Sequence, residues 1–338
     1  MLRTFMPLIA LAVVAGFAFN QGIPAGADTI TLYSGQHPET VNALVAAFER
    51  ATGIKVAVRP DDEDVLAAEI IQEGAHSRAD VFLTENSPAL EELQQRGLLA
   101  PVDRATLAST PPRYNSPKGD WVGISARVSV LVYNTKALRP SQLPHSILAL
   151  ADPRWRGKLA LAPSETDFQP IVTAVAERYG AARTVSWLEG LRANAGDRIY
   201  PDNETLVAEV NRGQAELGVI NHYYWYRLRQ ELGLAAMHSA LHYFAAGDPG
   251  YVVDVSGGAV LASSSHQAEA QRFLAFLVSR TGEQILARGS SYEYPLGSGV
   301  AADKELVPFG RLRPDPVTIA QLGNGQLAIK LLREASLL

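Results

Sequence analysis

Cysteine is absent from the 338 residues, which excludes disulfide staples, thiolate metal ligands and a lipid-bearing cysteine behind an export signal. Stability has to come from buried apolar surface, and the chain has the material: 47% of residues are apolar and 19% charged, unlike disordered chains. Basic blocks are missing too, and with a net charge of −5 the chain offers nucleic acid no electrostatic footprint. Catalytic signatures are also lacking: there is no His-Glu-x-x-His, Gly-x-Ser-x-Gly, P-loop or Gly-x-Gly-x-x-Gly opening a helix after a strand. His76, His145 and His266 have no metal-ligand partner at helical spacing, and His238 and His242, four apart, lie across a strand-like segment, so all five read as surface or core residues.

One long apolar run does occur, at the very start. Residues 5–19 are almost wholly apolar, Pro7 interrupts them, and Ala25-Gly26-Ala27 supplies small residues before Asp28. The run is short for a membrane span of about 20 residues, and the pattern reads as a cleavable signal peptide over 1–27. Its only charge is Arg3, so cleavage takes the net charge from −5 to −6. No second such run follows, so the mature chain is expected to be soluble, with no stable membrane insertion. The periplasm is the preferred compartment, because an outer membrane retains a freely diffusing protein; the extracellular space is the alternative.

The length suits two domains rather than one small core. Strand-like alternation at 29–34, 55–59 and 79–83 is separated by helical periodicity at 39–52, 64–73 and 88–96, with Gly53, Gly74 and Gly97 as stops. Strands spaced by helices predict an α/β fold with an open, largely parallel sheet. Ligands of such sheets bind beyond the carboxyl ends of the strands, where His37 and Glu85 fall. Two long extended segments, 121–134 and 251–261, are candidates for hinge strands between lobes. Between them lie strands at 159–162 and 217–220 and helices near 168–179, 182–193 and 204–212, a second α/β unit. Helices near 267–279 and 282–287, the run Tyr292-Glu293-Tyr294-Pro295 and a helical C-terminus complete the chain.

Tyr223 and Tyr224 stand side by side where the buried segment 217–220 gives way to a helix-prone one. Two phenolates and one carboxylate carry three negative charges, which neutralise a hard trivalent cation such as Fe(III). A bound cation holds a coordinating group deprotonated although a free phenol ionises near pH 10. Neighbouring side chains diverge on a strand or a helix, so the two phenols converge only if the backbone turns between the two. Each residue also has a plainer reading: the tyrosines as an aromatic cluster at a helix start, His37 as a turn residue, and Glu85 as a carboxylate favoured by a helix N-terminus.

The motifs Tyr-Ser-Gly-Gln-His37-Pro-Glu, Thr-Gly-Ile-Lys-Val, Ala-Asp-Val-Phe-Leu-Thr-Glu85, Asn221-His222-Tyr223-Tyr224-Trp225 and Asp248-Pro249-Gly250 resemble the periplasmic ferric-ion-binding proteins of ABC importers, in the same order along the whole mature chain. The resemblance implies a two-lobed periplasmic-binding-protein fold of type II, each lobe a sheet flanked by helices, with 28–126 plus 254–303 as the first lobe and 127–253 plus 304–338 as the second. It implies Fe(III) held between the lobes by His37 and Glu85 of the first and Tyr223 and Tyr224 of the second. It further implies a monomer that delivers iron to an inner-membrane ABC permease with its ATPase.

Arg127, Asn203 and Asn221 match positions associated with a synergistic anion or its surroundings. The stretch Pro163-Ser164-Glu165-Thr166-Asp167 departs from the small-residue turn of relatives that use phosphate. Its two acids repel phosphate, so carbonate, water or a carboxylate from Glu165 or Asp167 is the expected co-ligand. The same acids are equally an ordinary helix start. His222 departs from the Asn common before the tyrosine pair and is expected to serve packing. Two other functions compete: a similar two-lobed binder for an oxyanion or metal chelate, and a secreted metal-dependent hydrolase using Glu165 or Asp167 as its base.

Overall fold

The computed structural model describes residues 29–297 and 299–338; the expected signal peptide, 1–27, lies outside them. Strand β1 (Thr29–Ser34) alternates so that Ile30 and Leu32 are fully buried. Helix α1 (Pro38–Thr52) starts with a proline in its first turn, buries Val41, Leu44 and Phe48 on one face, and stops at Gly53, whose φ of 76° suits glycine. The alternation continues with β2 (Lys55–Pro60), α2 (Glu63–Glu73), β3 (Val81–Leu83), α3 (Ser87–Gln95), the short β4 (Leu99–Ala100) and α4 (Arg104–Ala108).

Next comes β5 (Val122–Asn134), 13 residues that are all buried. After it come β6 (Leu159–Ala160), α5 (Gln169–Tyr179), α6 (Ala181–Ala195), α7 (Asn203–Arg212), β7 (Leu217–Asn221), α8 (His222–Leu232), β8 (Ser239–His242) and β9 (Val253–Leu261). Helices α9 (Gln267–Leu277) and α10 (Arg280–Arg288), β10 (Tyr294–Pro295), α11 (Ile319–Leu322) and α12 (Gln326–Glu334) complete the described chain.

The strands run in the order β2-β1-β3-β9-β5-β7-β6, with β4 on β9 and both β8 and β10 on β5. Strand β1 is parallel to β2 and β3, and β6 is parallel to β7, but β9 is antiparallel to β3 and β5, and β5 is antiparallel to β7. The sheet is therefore mixed, not largely parallel as local spacing predicts. The reason is that β5 and β9 arrive from distant parts of the chain, outside the strand-helix-strand units that force parallel pairing.

Strand β5 works in two stretches. Val122 to Val128 pair with β9, whereas Ser129 to Tyr133 pair with β7. One strand thus carries the chain from the arrangement around β1 and β3 into the one around β7. The carboxyl ends of β1, β3 and β7 lead directly into the segments that hold His37, Glu85 and the tyrosine pair. Among the described residues no helix is long and apolar enough to cross a membrane.

Candidate metal centre

Tyr223 and Tyr224 lie in the first turn of α8, because β7 ends at Asn221 with an extended backbone and the helix begins at His222. The bend falls ahead of the tyrosine pair rather than within it, and the rings still come together, with centroids 4.2 Å apart. A helix N-terminus favours negative charge, and both phenols stand at one. His37 caps α1 from the other side, and its ring stands edge-on to both phenols, at 5.3 Å from Tyr223 and 6.2 Å from Tyr224. Glu85 follows β3, and its Oε1 lies 2.8 Å from His37 Nε2. These two atoms are buried, yet neither has a hydrogen bond of acceptable geometry. All four predicted ligands thus converge, from elements that are far apart in sequence.

Asp167 joins them. Its Oδ2 accepts from Tyr223 Oη at 3.3 Å and from Asn203 Nδ2 at 3.2 Å, and its Oδ1 accepts from Asn86 Nδ2 at 3.0 Å. Asn203 is the first residue of α7, and Asp202 before it caps that helix by accepting from Thr205 N. Glu165 stands on the wall of a cavity of about 640 Å³ that opens onto His37, Glu85 and Tyr224. Asn221 supplies the backbone bend before α8 and pairs in register with Ser129. Arg127 is fully buried and ion-paired with Glu293, with its guanidinium carbon 5.7 Å from the centre of the Tyr223 ring.

Burial sets the protonation states. It lowers His37 to about 4, aided by Arg227, so the imidazole is neutral and able to act as a ligand. It raises Glu85 well above the carboxylate range, with Asp167 adding to the effect. Both phenols are raised well above 10, first by burial and then by Asp167. Glu165 is pushed up to about 9 by burial and then by Asp167. A pocket that resists every added negative charge is one that a cation relieves. Among the described residues no three His, Asp or Glu side chains form a metal-holding group.

His222 is fully buried beside the tyrosines, but both its ring nitrogens are engaged: Nδ1 accepts from Val128 N at 3.3 Å, and Nε2 lies 2.8 Å from the Tyr292 carbonyl. It packs, as its position before the pair suggests. Sequence reasoning missed Glu63, whose carboxylate accepts from Glu85 N at 2.7 Å and Asn86 N at 3.0 Å. It also missed Asn86 and Gln36. Each of those two adjoins a predicted ligand, and adjacency was the only signal available.

Residues 30–289 match the family of bacterial extracellular solute-binding proteins. The chain belongs to that family. Among solute-binding proteins it is 41% identical to the Fe(3+)-binding periplasmic protein of Serratia marcescens, over 98% of this chain and 97% of the other. Its structure is similar to iron-bound HitA from Pseudomonas aeruginosa, with a TM-score of 0.87 and 43% identity, covering 91% of this chain and 99% of that one. It is also similar to Trichodesmium IdiA (FutA) in complex with iron and citrate, with a TM-score of 0.79 and 30% identity over 91% and 99% of the two chains. The fold is thus the two-lobed α/β architecture of periplasmic binding proteins. Membership in a solute-binding family supports binding rather than hydrolysis at the family level.

Proposed function

We propose that this protein binds ferric iron between its two lobes, with His37, Glu85, Tyr223 and Tyr224 as ligands, and hands it to an inner-membrane ABC permease and its ATPase from the periplasm. The observation that carries this reading is the buried His37–Glu85 contact, 2.8 Å long and without hydrogen-bond geometry, set against two phenols at a helix N-terminus. Two phenolates and the Glu85 carboxylate neutralise Fe(III), and the neutral imidazole adds a fourth donor. The iron-related names of the relatives support the same cargo. The lobes are proposed as 28–126 plus 254–303 and 127–253 plus 304–338, so that bound iron ties one to the other and favours closure. The permease then reads closure as loading.

The co-ligand is proposed to be Asp167 itself. It already takes the hydrogen bonds of Tyr223, Asn203 and Asn86 that an added anion would need. The cavity beside the donors carries Asp61, Asp62, Glu85, Glu165, Asp202 and Glu204, and no Lys or Arg lines it among the described residues. With Glu85 and Glu165 protonated, it is the remaining acids of this wall that disfavour phosphate, carbonate and polycarboxylate chelates and favour a bare trivalent cation.

The test is a ferric titration of the mature protein followed by visible absorbance and thermal midpoint. A charge-transfer colour saturating at one equivalent, with a raised midpoint, is expected. Changing both tyrosines to Phe keeps most of the packing and should weaken binding by more than about tenfold, roughly 1.4 kcal/mol. A protein that stays colourless with an unmoved midpoint would refute the reading.

A further inference from the structure

Glu293 sits in the run Tyr292-Glu293-Tyr294-Pro295, far from all four donors in sequence, and its side chain is fully buried. A buried carboxylate is costly unless it is paired and hydrogen-bonded, and this one is engaged at both oxygens. Oε1 pairs with Arg127, which lies beside the Tyr223 ring. Oε2 accepts from Gln36 Nε2 at 3.3 Å. The same Gln36 amide donates to Ser256 Oγ at 3.1 Å, and its Oε1 accepts from the backbone N–H of His37 at 2.8 Å. One carboxylate therefore touches the neighbour of a donor in the first lobe and the charge beside a donor in the second.

The segment that carries Glu293 is itself held hard. Tyr292 adopts a φ of 52°, a left-handed backbone that a tyrosine keeps only where its surroundings impose it. Its ring stacks on Tyr226 at 5.4 Å, its carbonyl bonds His222 Nε2, and Tyr294 stacks on His222 at 4.9 Å while pairing with Ala126 of β5. Residues 292–294 thus grip the first turns of α8, where the phenols sit, and place Glu293 without freedom to drift. Backbone strain beside a site, fixed from several directions, is a mark of a positioning element.

We propose that Glu293 is a positioning residue for the metal centre: one oxygen fixes Gln36 and with it the His37 loop, and the other holds Arg127 in place beside Tyr223. This inference rests on the reading that the four donors bind ferric iron. With the carboxylate present, the Arg127 charge is cancelled locally and does not repel the incoming cation. Without it, the buried guanidinium loses its ion-pair partner beside a site that has to accept a trivalent ion.

The experiment uses the full mature chain and ferric citrate as the iron source. Glu293→Gln should lower ferric affinity by about 10- to 100-fold, the usual effect of losing a group that orients a metal ligand, and should move the phenolate charge-transfer maximum. Glu293→Asp, which keeps the charge, should recover most of the affinity. Gln36→Ala should also weaken binding, and combining it with Glu293→Gln should cost less than the two separate losses together. Glu283→Gln removes a different buried carboxyl and should leave the band where it is.

A folded Glu293→Gln protein with an unmoved band and affinity within about threefold of wild type overturns the inference. Should Glu293→Gln fail to fold, the Glu293→Asp and Gln36→Ala proteins carry the test, and wild-type band and affinity in both overturn it. If wild-type protein takes up iron without colour, the failure lies with the donor assignment and not with Glu293.

Discussion

The proposed role of Asp167 can be tested one residue at a time. A carboxylate 3.3 Å from Tyr223 Oη is close enough to share a cation with it, and its two amide partners, Asn203 and Asn86, come from different parts of the chain. Substituting Asp167→Asn removes the charge and keeps the shape. Ferric affinity in bicarbonate- and phosphate-free buffer should fall by about 10- to 100-fold, and added bicarbonate or phosphate should restore part of it. If the Asn variant binds as tightly as wild type and ignores both anions, Asp167 is not the group that completes the shell. The sequence already marked this stretch as a departure from phosphate-using relatives, but it could not separate Glu165 from Asp167. The two differ in three dimensions: Asp167 accepts from the phenol of Tyr223, while Glu165 lies on the cavity wall, and that difference is what supports proposing Asp167.

At the scale of elements, the loop that bears Glu85 is tied down by the first residue of α2. Glu63 accepts from Glu85 N, Asn86 N and Asn86 Nδ2, and Gly35 passes so close above it that an added Cβ would come within 2.7 Å of Glu63 Cβ. Burial, then Asp64 and Glu85, push this carboxyl up to about 8, so glutamine matches its shape and its neutral charge at pH 7, and its one amide oxygen can still accept from both backbone N–H groups, losing only the bond from Asn86 Nδ2. Glu63→Ala should destabilise the metal-free protein by about 2–3 kcal/mol, since it strands buried N–H groups, whereas Glu63→Gln should cost far less. Urea denaturation midpoints check this, and equal midpoints for the Ala and Gln variants would remove the anchoring role. From sequence, Glu63 is indistinguishable from any acid in a helix's first turn.

What was legible at this scale is local. Pro38 and Gly53 bracket α1, Gly74 and Gly97 mark helix ends, and the long runs that become β5 and β9 stand out by their apolar length. The pairing of β3 with β9 was not legible, because Val81 and Val260 lie far apart along the chain and nothing in either strand names its partner. The four donors could be proposed because each follows a strand end and because their motifs resemble those of ferric-ion-binding proteins. Gln36, Asn86 and Glu293 could not, since their role exists only once both ends of the chain are folded together.

For the molecule as a whole, buried carboxyls make stability depend on pH. Glu283 is fully buried, accepts from Gly297 N at 2.8 Å, has no partner for Oε2, and is pushed up to about 8 by burial. The folded protein therefore keeps a proton that the unfolded chain releases at about 4.5. The stability this contributes is complete below that value and is lost as pH rises through about 8. Glu283→Gln has no such proton to lose. Its stability relative to wild type should improve between pH 5 and pH 9, on the order of 2–4 kcal/mol, in denaturant midpoints of the metal-free proteins. A difference that stays constant across that range contradicts the assignment.

The central place of β9 has a consequence for how the protein is made. Strands β1 and β3 are synthesised early, yet the neighbour that completes their sheet, Val253–Leu261, emerges only after the whole second α/β unit. Closing so large a loop is slow in entropic terms, so the growing chain has no finished first lobe to fold into. A polypeptide proposed to be threaded across a membrane before it folds is served by that delay.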